Sequence, residues 1–242
     1  MRISKGVSWI AASVLMLGLG GCCDKNSPLG VSTASGGGGP AAVNLGTAST
    51  FRVLAGSTVT NTGLTTVAGD LGVSPGSAVV GFPPGTVTGT IFTVTPGPAA
   101  TAQTDLGVAY TDVGGRPNPI SVSGDLTGLT LAPGLYASTS SLAVSGAMTL
   151  NALGNQNAVF IIRSATTLTT GPGSQIILSG GAKASNIIWW VGSSATLGTN
   201  SIFQGTIMAN QAITLNTGAR LHGSALAQVA AVTLDTNAIS LP

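Results

Sequence analysis

Only 6% of the 242 residues are charged, and none is a glutamate. Mean hydropathy is +0.49, and short Val, Ile and Leu runs alternate with Gly, Pro and Asn; this excludes a disordered chain and an ordinary helical enzyme and favours many short strands. The net charge of +2 comes from Arg2 and Lys5, so the rest of the chain is near neutral and we expect no nucleic-acid partner.

The chain begins with the features of an export signal. Arg2 and Lys5 precede an apolar stretch that is too short to span a bilayer, and small residues lead to Cys22. The Leu-Gly-Gly-Cys tetrad at 19–22 resembles the lipobox of bacterial lipoproteins, in which the cysteine is lipidated and begins the mature chain. A plain cleaved signal peptide over residues 1–21 is the alternative. We expect an exported protein, either an outer-membrane or cell-surface lipoprotein or a secreted one.

Residues 22–42 hold the lipobox cysteine and a Gly/Ser-rich stretch typical of a flexible linker. Cys22 and Cys23 are the only cysteines, and adjacent cysteines rarely pair because disulfide geometry is restrictive. Residues 43–242 remain, and this length suits one domain with a sizeable core.

The first part of that domain should contain one helix among irregular strands. Residues 44–95 look like rungs of a solenoid. At about 96–113 the sequence predicts a helix, with Thr95 as its N-cap and Gly114 after its end. Its apolar residues recur at helical spacing: Ala102, Leu106, Ala109, Tyr110 and Val113. We predict that this helix covers one sheet of the solenoid.

A repeated tetrad, Thr-Leu-x-Thr, marks the C-terminal half. It begins at Thr167, Thr196, Thr214 and Thr233, and Thr149 begins a near match. The intervals are about 18 to 19 residues, apart from one lengthened by an insertion around 180–185. Such a rung divides into three short strands with Gly or Asn at the corners, which predicts a triangular parallel β-helix.

An apolar run precedes each tetrad. Uninterrupted apolarity, as at 187–191, is typical of a strand buried on both faces. One face should meet the solenoid core and the other the helix. Trp189 and Trp190 should therefore point to opposite sides of that sheet.

Five motifs occur in order along residues 43–242: Thr58-Val59-Thr60-Asn61-Thr62-Gly63, Gly69-Asp70-Leu71-Gly72-Val73-Ser74-Pro75-Gly76, Gly81-Phe82-Pro83-Pro84-Gly85, Gly192-Ser193-Ser194-Ala195-Thr196-Leu197-Gly198-Thr199 and Ala231-Val232-Thr233-Leu234-Asp235-Thr236-Asn237. Together they resemble the DUF3494 ice-binding proteins of cold-adapted microbes. The resemblance implies a mainly β fold: a right-handed discontinuous β-solenoid of triangular section with one long α-helix packed along one face. It also implies an antifreeze function, in which a neighbouring flat face adsorbs to ice and inhibits ice growth or recrystallisation.

Alternation along the strands suggests which residues form that face. With the tetrad leucines inward, alternate side chains point outward. Thr167, Thr196, Thr214 and Thr233 should stack in one column; Thr169, Gly198, Asn216 and Asp235 in a second; Ala165, Ser194, Ala212 and Ala231 in a third. The predicted ice-binding residues are Thr149, Asn151, Thr167, Thr169, Ser194, Thr196, Ala212, Thr214, Asn216, Ala231 and Thr233. The charge of Asp235 departs from the pattern.

Two other function classes compete with ice binding. Threonine ladders can simply cap a solenoid surface, so a cell-surface structural or adhesion module without ice affinity is the alternative. Parallel β-helices also include polysaccharide-cleaving enzymes, but the aspartates are scattered and His222 is the only histidine. We predict a non-enzymatic monomer without metal or cofactor. Its partner is the ice crystal surface, and it meets a membrane only through a lipid on Cys22.

Overall fold

A computed structural model describes residues 39–242 of the chain. The predicted signal peptide, the lipobox cysteine and most of the predicted linker lie outside the described residues. Within the described range, no helix is long and apolar enough to cross a membrane.

Twenty-five short strands and one long helix make up the described domain. The first strands are Phe51–Ala55 (β1), Thr58–Thr62 (β2), Thr66–Val67 (β3), Asp70–Val73 (β4), Ala78–Val80 (β5), Thr86–Val87 (β6) and Ile91–Phe92 (β7), followed by the helix Pro98–Gly115 (α1). The next are Ile120–Ser121 (β8), Gly124–Asp125 (β9), Thr130–Leu131 (β10), Gly134–Ser138 (β11), Leu142–Val144 (β12), Ala147–Asn151 (β13), Phe160–Ser164 (β14), Leu168–Thr170 (β15) and Gln175–Ser179 (β16). The last are Ile187–Val191 (β17), Ala195–Leu197 (β18), Ile202–Gln204 (β19), Thr206–Ala209 (β20), Ile213–Leu215 (β21), Arg220–His222 (β22), Ala225–Ala227 (β23), Val232–Asp235 (β24) and Ala238–Ser240 (β25). Two 3₁₀ helices, Gly46–Thr50 and Ala184–Asn186, complete the set.

The strands form three parallel sheets, as a triangular solenoid requires. Sheet A has the order β7-β4-β1-β23-β20-β17-β14-β11-β8, and sheet B has the order β5-β2-β24-β21-β18-β15-β12-β9. Sheet C has the order β10-β13-β16-β19-β22-β25-β3-β6. Each rung runs from sheet A to sheet B to sheet C, so the molecule has an A/B, a B/C and an A/C corner.

The solenoid is discontinuous, which confirms the predicted fold class. The rung β1–β3 pairs with the last rung of the chain, β23–β25. The chain then adds β4 beside β1 and places β5, β6 and β7 at the ends of sheets B, C and A. It next travels along the solenoid as α1 and starts again at the opposite end with β8–β10. From there it descends rung by rung to β23–β25. N-terminal and C-terminal segments therefore complete the same three sheets.

Rung length is less uniform than the tetrads suggest. In sheet B, Thr196 lies beside Thr214 and Thr214 beside Thr233, which agrees with rungs of 18 and 19 residues. Thr169, however, lies beside Thr196, 27 residues later. The extra residues form loops at the A/C corner, where Gly154 donates to the Gly180 carbonyl at 2.8 Å.

A continuous apolar core fills the solenoid. Inward side chains stack from rung to rung, among them Leu197, Leu215 and Leu234, which lie side by side and are at most 1% exposed. Trp189 belongs to this core, whereas its neighbour Trp190 packs with the helix. The predicted opposite orientation of the two indoles is confirmed.

The helix α1 buries the outer face of sheet A. Ala102, Leu106, Ala109 and Val113 are buried against strand residues such as Ile188 and Met208. The predicted cap is wrong: helix α1 begins at Pro98 with Gly97 at the N-cap and no side-chain cap bond. The proline ring suits a first turn because its missing N–H would have no partner there.

Side chains fasten both edges of the helix to the solenoid. On the A/B side, Gln103 donates to the Ala227 carbonyl at 3.0 Å and Tyr110 to the Val191 carbonyl at 3.0 Å. On the A/C side, the backbone N–H of Thr47 donates to Asp105 at 2.7 Å. Most of sheet A is therefore covered, although Ile120 and Ser121 of its end strand β8 are exposed. Sheets B and C present their strand faces to the surroundings.

Candidate functional site

The outer face of sheet B carries a column of threonines in direct register. The pairings place Thr169, Thr196, Thr214, Thr233 and Thr60 side by side on successive strands. Ala143 and Asp125 extend the column at one end and Val80 at the other. All of them are exposed or half-buried, whereas the residues between them along each strand point inward.

Two flanking columns run beside the threonines. On one side, Thr167, Ser194, Ala212 and Ala231 form an outward column. Backbone hydrogen bonds between neighbouring strands align it: Leu168 donates to Ser194, Ala195 to Ala212 and Ile213 to Ala231. On the other side, Asn216 and Asp235 face outward, with Thr62 beside Asp235. The result is a grid with about 4.8 Å between strands and about 6.5–7 Å between outward residues of one strand.

The structure corrects all three predicted columns at β15, because Thr167, Thr169 and Ala165 each lie one column away from their predicted places. Thr167 was expected beside Thr196, but Thr169 occupies that place and Thr167 lies beside Ser194. The pairing of β15 with β18 is shifted by two residues from the predicted register, so Leu168 lies beside Ala195 and not beside Leu197. A shift of two keeps every side chain on its own face, because the side-chain period of a strand is two. Thr167 and Thr169 therefore both stay on the predicted face.

Two predicted site residues lie elsewhere. Thr149 and Asn151 belong to β13 in sheet C, where Thr149 pairs with Thr130 and Ile177. Their placement on the threonine face is wrong because the rung at this point is longer than 18 residues, so the interval from Thr149 to Thr167 carries the chain only from sheet C to sheet B. The other nine predicted residues lie on or directly beside the strands of sheet B.

Three threonines that the prediction omitted complete the face. Thr58, Thr60 and Thr62 point outward from β2, between Val59 and Asn61, which are buried. The strict alternation in Thr-Val-Thr-Asn-Thr was the available signal. Nothing in the sequence says that β2 pairs with β24, since those strands are separated by most of the domain.

Charge is nearly absent from this face and confined to its edges. Asp235 accepts hydrogen bonds from the hydroxyl groups of Thr217 and Thr236. Asp125, on the last strand of the sheet, accepts from Thr127 at 2.6 Å and from the Ser145 N–H at 3.1 Å. These bonds, that of Thr127 foremost, hold the pKa of Asp125 well below its usual range. Both carboxylates are thus drawn toward neighbouring polar groups.

Sheet C presents a different surface. Arg220 and His222 project from β22, Gln175 and Ile177 from β16. His222 is exposed and its Nδ1 lies 2.8 Å from the Ser240 hydroxyl. These side chains are long and vary from strand to strand. Among residues 39–242, no three His, Cys, Asp or Glu side chains lie together as metal ligands would.

A profile of ice-binding-like proteins matches residues 53–240. The chain belongs to the ice-binding-like family. That match spans every strand of sheet B, from β2 to β24.

Relatives within the family come from varied organisms. An ice-binding protein of Nostoc sp. (strain HG1) is 50% identical over 198 residues, which cover 81% of this chain and 73% of the relative. One from Colwellia sp. is 36% identical and covers 84% of this chain and 85% of the relative.

Solved structures of the family have the same fold. The crystal structure of an ice-binding protein from an Antarctic biological consortium aligns with a TM-score of 0.82 at 50% identity, covering 84% of this chain and 92% of that one. That of Antarctomyces psychrotrophicus aligns at 0.79 with 36% identity, covering 84% and 99%. A third, from an Arctic yeast and described for its antifreeze activity, aligns at 0.77 with 33% identity, covering 83% and 94%.

Proposed function

We propose that this protein binds ice through the outer face of sheet B and that its adsorption inhibits ice growth or recrystallisation. The observation that carries the proposal is the in-register column Thr169–Thr196–Thr214–Thr233–Thr60. The Nostoc and Colwellia relatives are named for ice binding, and family membership supports the same activity here.

Threonine suits this task because of its stiffness. Its β-branched side chain has few accessible χ1 rotamers, so each methyl and hydroxyl group holds its position before contact. An array that is already ordered loses little conformational entropy when it binds. A mobile surface would lose more entropy and would therefore bind more weakly. The β-ladder fixes the spacing between these groups, and the packed core beneath the strands holds the ladder in place.

The other two sheets fit ice less well. Helix α1 covers most of sheet A. Sheet C carries Arg220 and His222 among its outward side chains, and both are exposed. Charged and flexible side chains hold their own hydration water, and fixing them on a regular lattice costs rotamer entropy. They therefore contribute little to ice binding. This contrast favours sheet B as the ice-contacting face.

Further inferences concern export, oligomeric state, catalysis and the N-terminal cysteine. We infer that the protein acts as an exported monomer, that no catalysis or cofactor is involved, and that Cys22 carries a lipid when the lipobox is used. Export supports an activity directed at ice, because ice forms outside the cell.

The test is thermal hysteresis and ice-crystal shaping with the purified protein and two tyrosine variants. Thr214→Tyr places a large ring in the middle of the threonine column and should abolish most of the activity. Thr149→Tyr makes the same change on an outward, half-buried position of sheet C and should leave activity intact. Unshaped ice with the unaltered protein would reject ice binding and favour a structural surface module. Equal loss in both variants would reject sheet B as the contacting face.

A further inference from the structure

Helix α1 leaves one end of sheet A uncovered. An outward column of that sheet runs over successive strands through Met208, Trp190, Arg163, Ala137 and Ser121. Met208 is buried under the helix, whereas Trp190 and Arg163 are half-buried beside its end. Ser121 is exposed. A half-open cavity of about 410 Å³ lies over this uncovered part, and its volume suits a small-molecule site.

Apolar groups line much of this cavity. The indole of Trp190 and the ring of Pro119 both border it, and Ala137 lies between their strands with a side chain too small to fill the space. The indole is fixed in place, because its Nε1 donates to the Tyr110 carbonyl at 3.0 Å and the Tyr110 ring stacks on it at 4.7 Å between centroids. A rigid aromatic surface binds the C–H face of a sugar ring without losing rotamer entropy.

Arg163 is the only charged residue that lines the cavity, and its guanidinium is held in one position. Nη1 donates to the carbonyls of Val113 at 3.1 Å, Gly114 at 2.8 Å and Arg116 at 3.0 Å, at the end of α1. These carbonyls have no net charge, so they orient the cation without neutralising it. Within residues 39–242, Nε and Nη2 make no hydrogen bond and neither is buried. This free edge of the guanidinium can bind a carboxylate through two parallel bonds.

The neighbouring carboxylates do not occupy this free edge. Arg163 forms no ion pair within the described residues, and Asp112 at the same end of α1 is paired with Arg116 at 2.6 Å. Asp105 lies about 10 Å farther back along the helix, and Asp125 belongs to the outer face of sheet B. Arg163 therefore brings an unpaired positive charge to the cavity.

Hydroxyl groups complete the lining. Ser121 on β8 and Thr139, which directly follows β11, are exposed beside the cavity. An aromatic or aliphatic acid would leave these hydroxyls unused, and a phosphate ion would leave the indole unused. A polyhydroxylated ring that carries one carboxylate uses the indole, the guanidinium and the hydroxyls together.

We propose that this cavity binds a uronic acid residue and thereby attaches the protein to acidic polysaccharide. The carboxylate of the sugar pairs with Nε and Nη2 of Arg163, and its ring lies against Trp190. The cavity opens from the outer face of sheet A, so a bound polymer leaves sheet B free. The inference does not depend on ice binding, since the two surfaces share no residue.

The ligand class is tested by isothermal titration of the full-length protein with a galacturonic acid trisaccharide, the galactose trisaccharide of the same linkage, and acetate. The acidic trisaccharide should bind about tenfold or more tightly than the neutral one, because a charge-assisted pair is lost in the latter. Added salt should narrow the difference. No binding of the acidic trisaccharide, equal affinity for the neutral one, or equal affinity for acetate would overturn the proposal.

Two alanine variants locate the site without disturbing the end of α1. Ala137→Phe fills the cavity and should abolish binding of the acidic trisaccharide. Ala147→Phe makes the same change at an exposed position of sheet C and should leave binding intact. Binding that survives Ala137→Phe would place the sugar elsewhere and reject this cavity.

Arg163→Gln separates the charge from the shape of the cavity. The variant should bind the acidic trisaccharide no better than the neutral one, and circular dichroism checks that α1 is retained. Undiminished preference for the acid in a folded Arg163→Gln protein would also overturn the proposal. Thermal hysteresis should be unchanged in Ala137→Phe, because the threonine column is untouched. An unaltered protein that binds the sugar but not ice would reject only the proposed function.

Discussion

At the scale of single residues, the position of Thr60 makes the N-terminal segment part of the proposed ice-binding face. Thr60 lies beside Thr233 and is exposed. Thr60→Tyr should therefore remove most of the thermal hysteresis, although it lies outside the tetrad repeats. Because the side chain points outward, the free energy of unfolding should change by less than about 0.5 kcal/mol.

The matched control for Thr60 is Thr66→Tyr. Thr66 belongs to the same N-terminal segment and is also exposed, but it lies on sheet C. Its variant should keep full hysteresis. A Thr60→Tyr protein as active as the unaltered one would mean that the contacting area ends at β24.

The leucine beneath the column supports the face from inside. Leu215 is 1% exposed and lies between Leu197 and Leu234. Leu215→Ala should lower the free energy of unfolding by about 2–5 kcal/mol, since it removes buried methyl groups and leaves a cavity. Urea denaturation followed by circular dichroism measures the change. A loss below about 1 kcal/mol would indicate that neighbouring rungs close the space.

Acid should weaken the end of the solenoid at Asp125. Hydrogen bonds from Thr127 and Ser145 lower the pKa of Asp125 in the folded state. The stability it contributes is thus fully present above its unfolded pKa of about 3.9 and is lost as pH falls through the lower folded value. The melting temperature of Asp125→Asn should depend less on pH below about pH 4 than that of the unaltered protein. Parallel melting curves for the two proteins would contradict this.

The sequence predicted which side chains point inward or outward better than it predicted which residues lie side by side on neighbouring strands. Alternation placed Thr196 and Thr214 outward and their leucines inward, as found. It could not detect the two-residue shift at Thr169, because both registers bury the same side of the strand. The buried Thr170 accepts a hydrogen bond from the Gly198 N–H at 2.8 Å, and that interaction between rungs is invisible in a local pattern.

At the scale of elements, the helix was the easiest to predict. Its apolar spacing and the glycines at its end gave 96–113, against Pro98–Gly115 in the structure. The wrong cap, Thr95, has its hydroxyl 3.2 Å from that of Ser74, so tertiary contacts overrode a local preference. Strand order was harder, since β2 and β24 lie far apart in sequence and only the closed topology brings them together.

Two glycines within α1 offer a matched pair of substitutions. A Cβ on Gly107 would meet nothing within 4 Å, whereas one on Gly114 would lie 3.3 Å from the Trp190 ring. Gly107→Ala should raise the free energy of unfolding by about 0.5–1 kcal/mol, because alanine loses less backbone entropy in a helix. Gly114→Ala should gain less or lose stability, as the indole must shift. Equal gains at both positions in urea titrations would contradict the tight contact with Trp190.

At the scale of the whole molecule, the two ends of the solenoid are where a second copy could add. The end strands β5–β7 and β8–β10 expose unpaired backbone groups, and Val80, Ile91 and Val94 are exposed near one of the two ends. Open edges of this kind favour association between copies. The end strands are only two or three residues long, however, and prolines lie beside them at both ends, including Pro75, Pro83 and Pro119.

We expect these short, proline-flanked edges to keep the protein monomeric, because proline has no N–H to donate to a ladder and a two-residue strand offers few bonds. Sedimentation velocity across a wide concentration series should give one species of monomer mass. Pro119→Val restores a backbone N–H directly before β8 and extends the β-prone stretch there, so this variant should self-associate more than the unaltered protein. A dimer already formed by the unaltered protein would place the interface at these ends and show that the prolines do not block stacking.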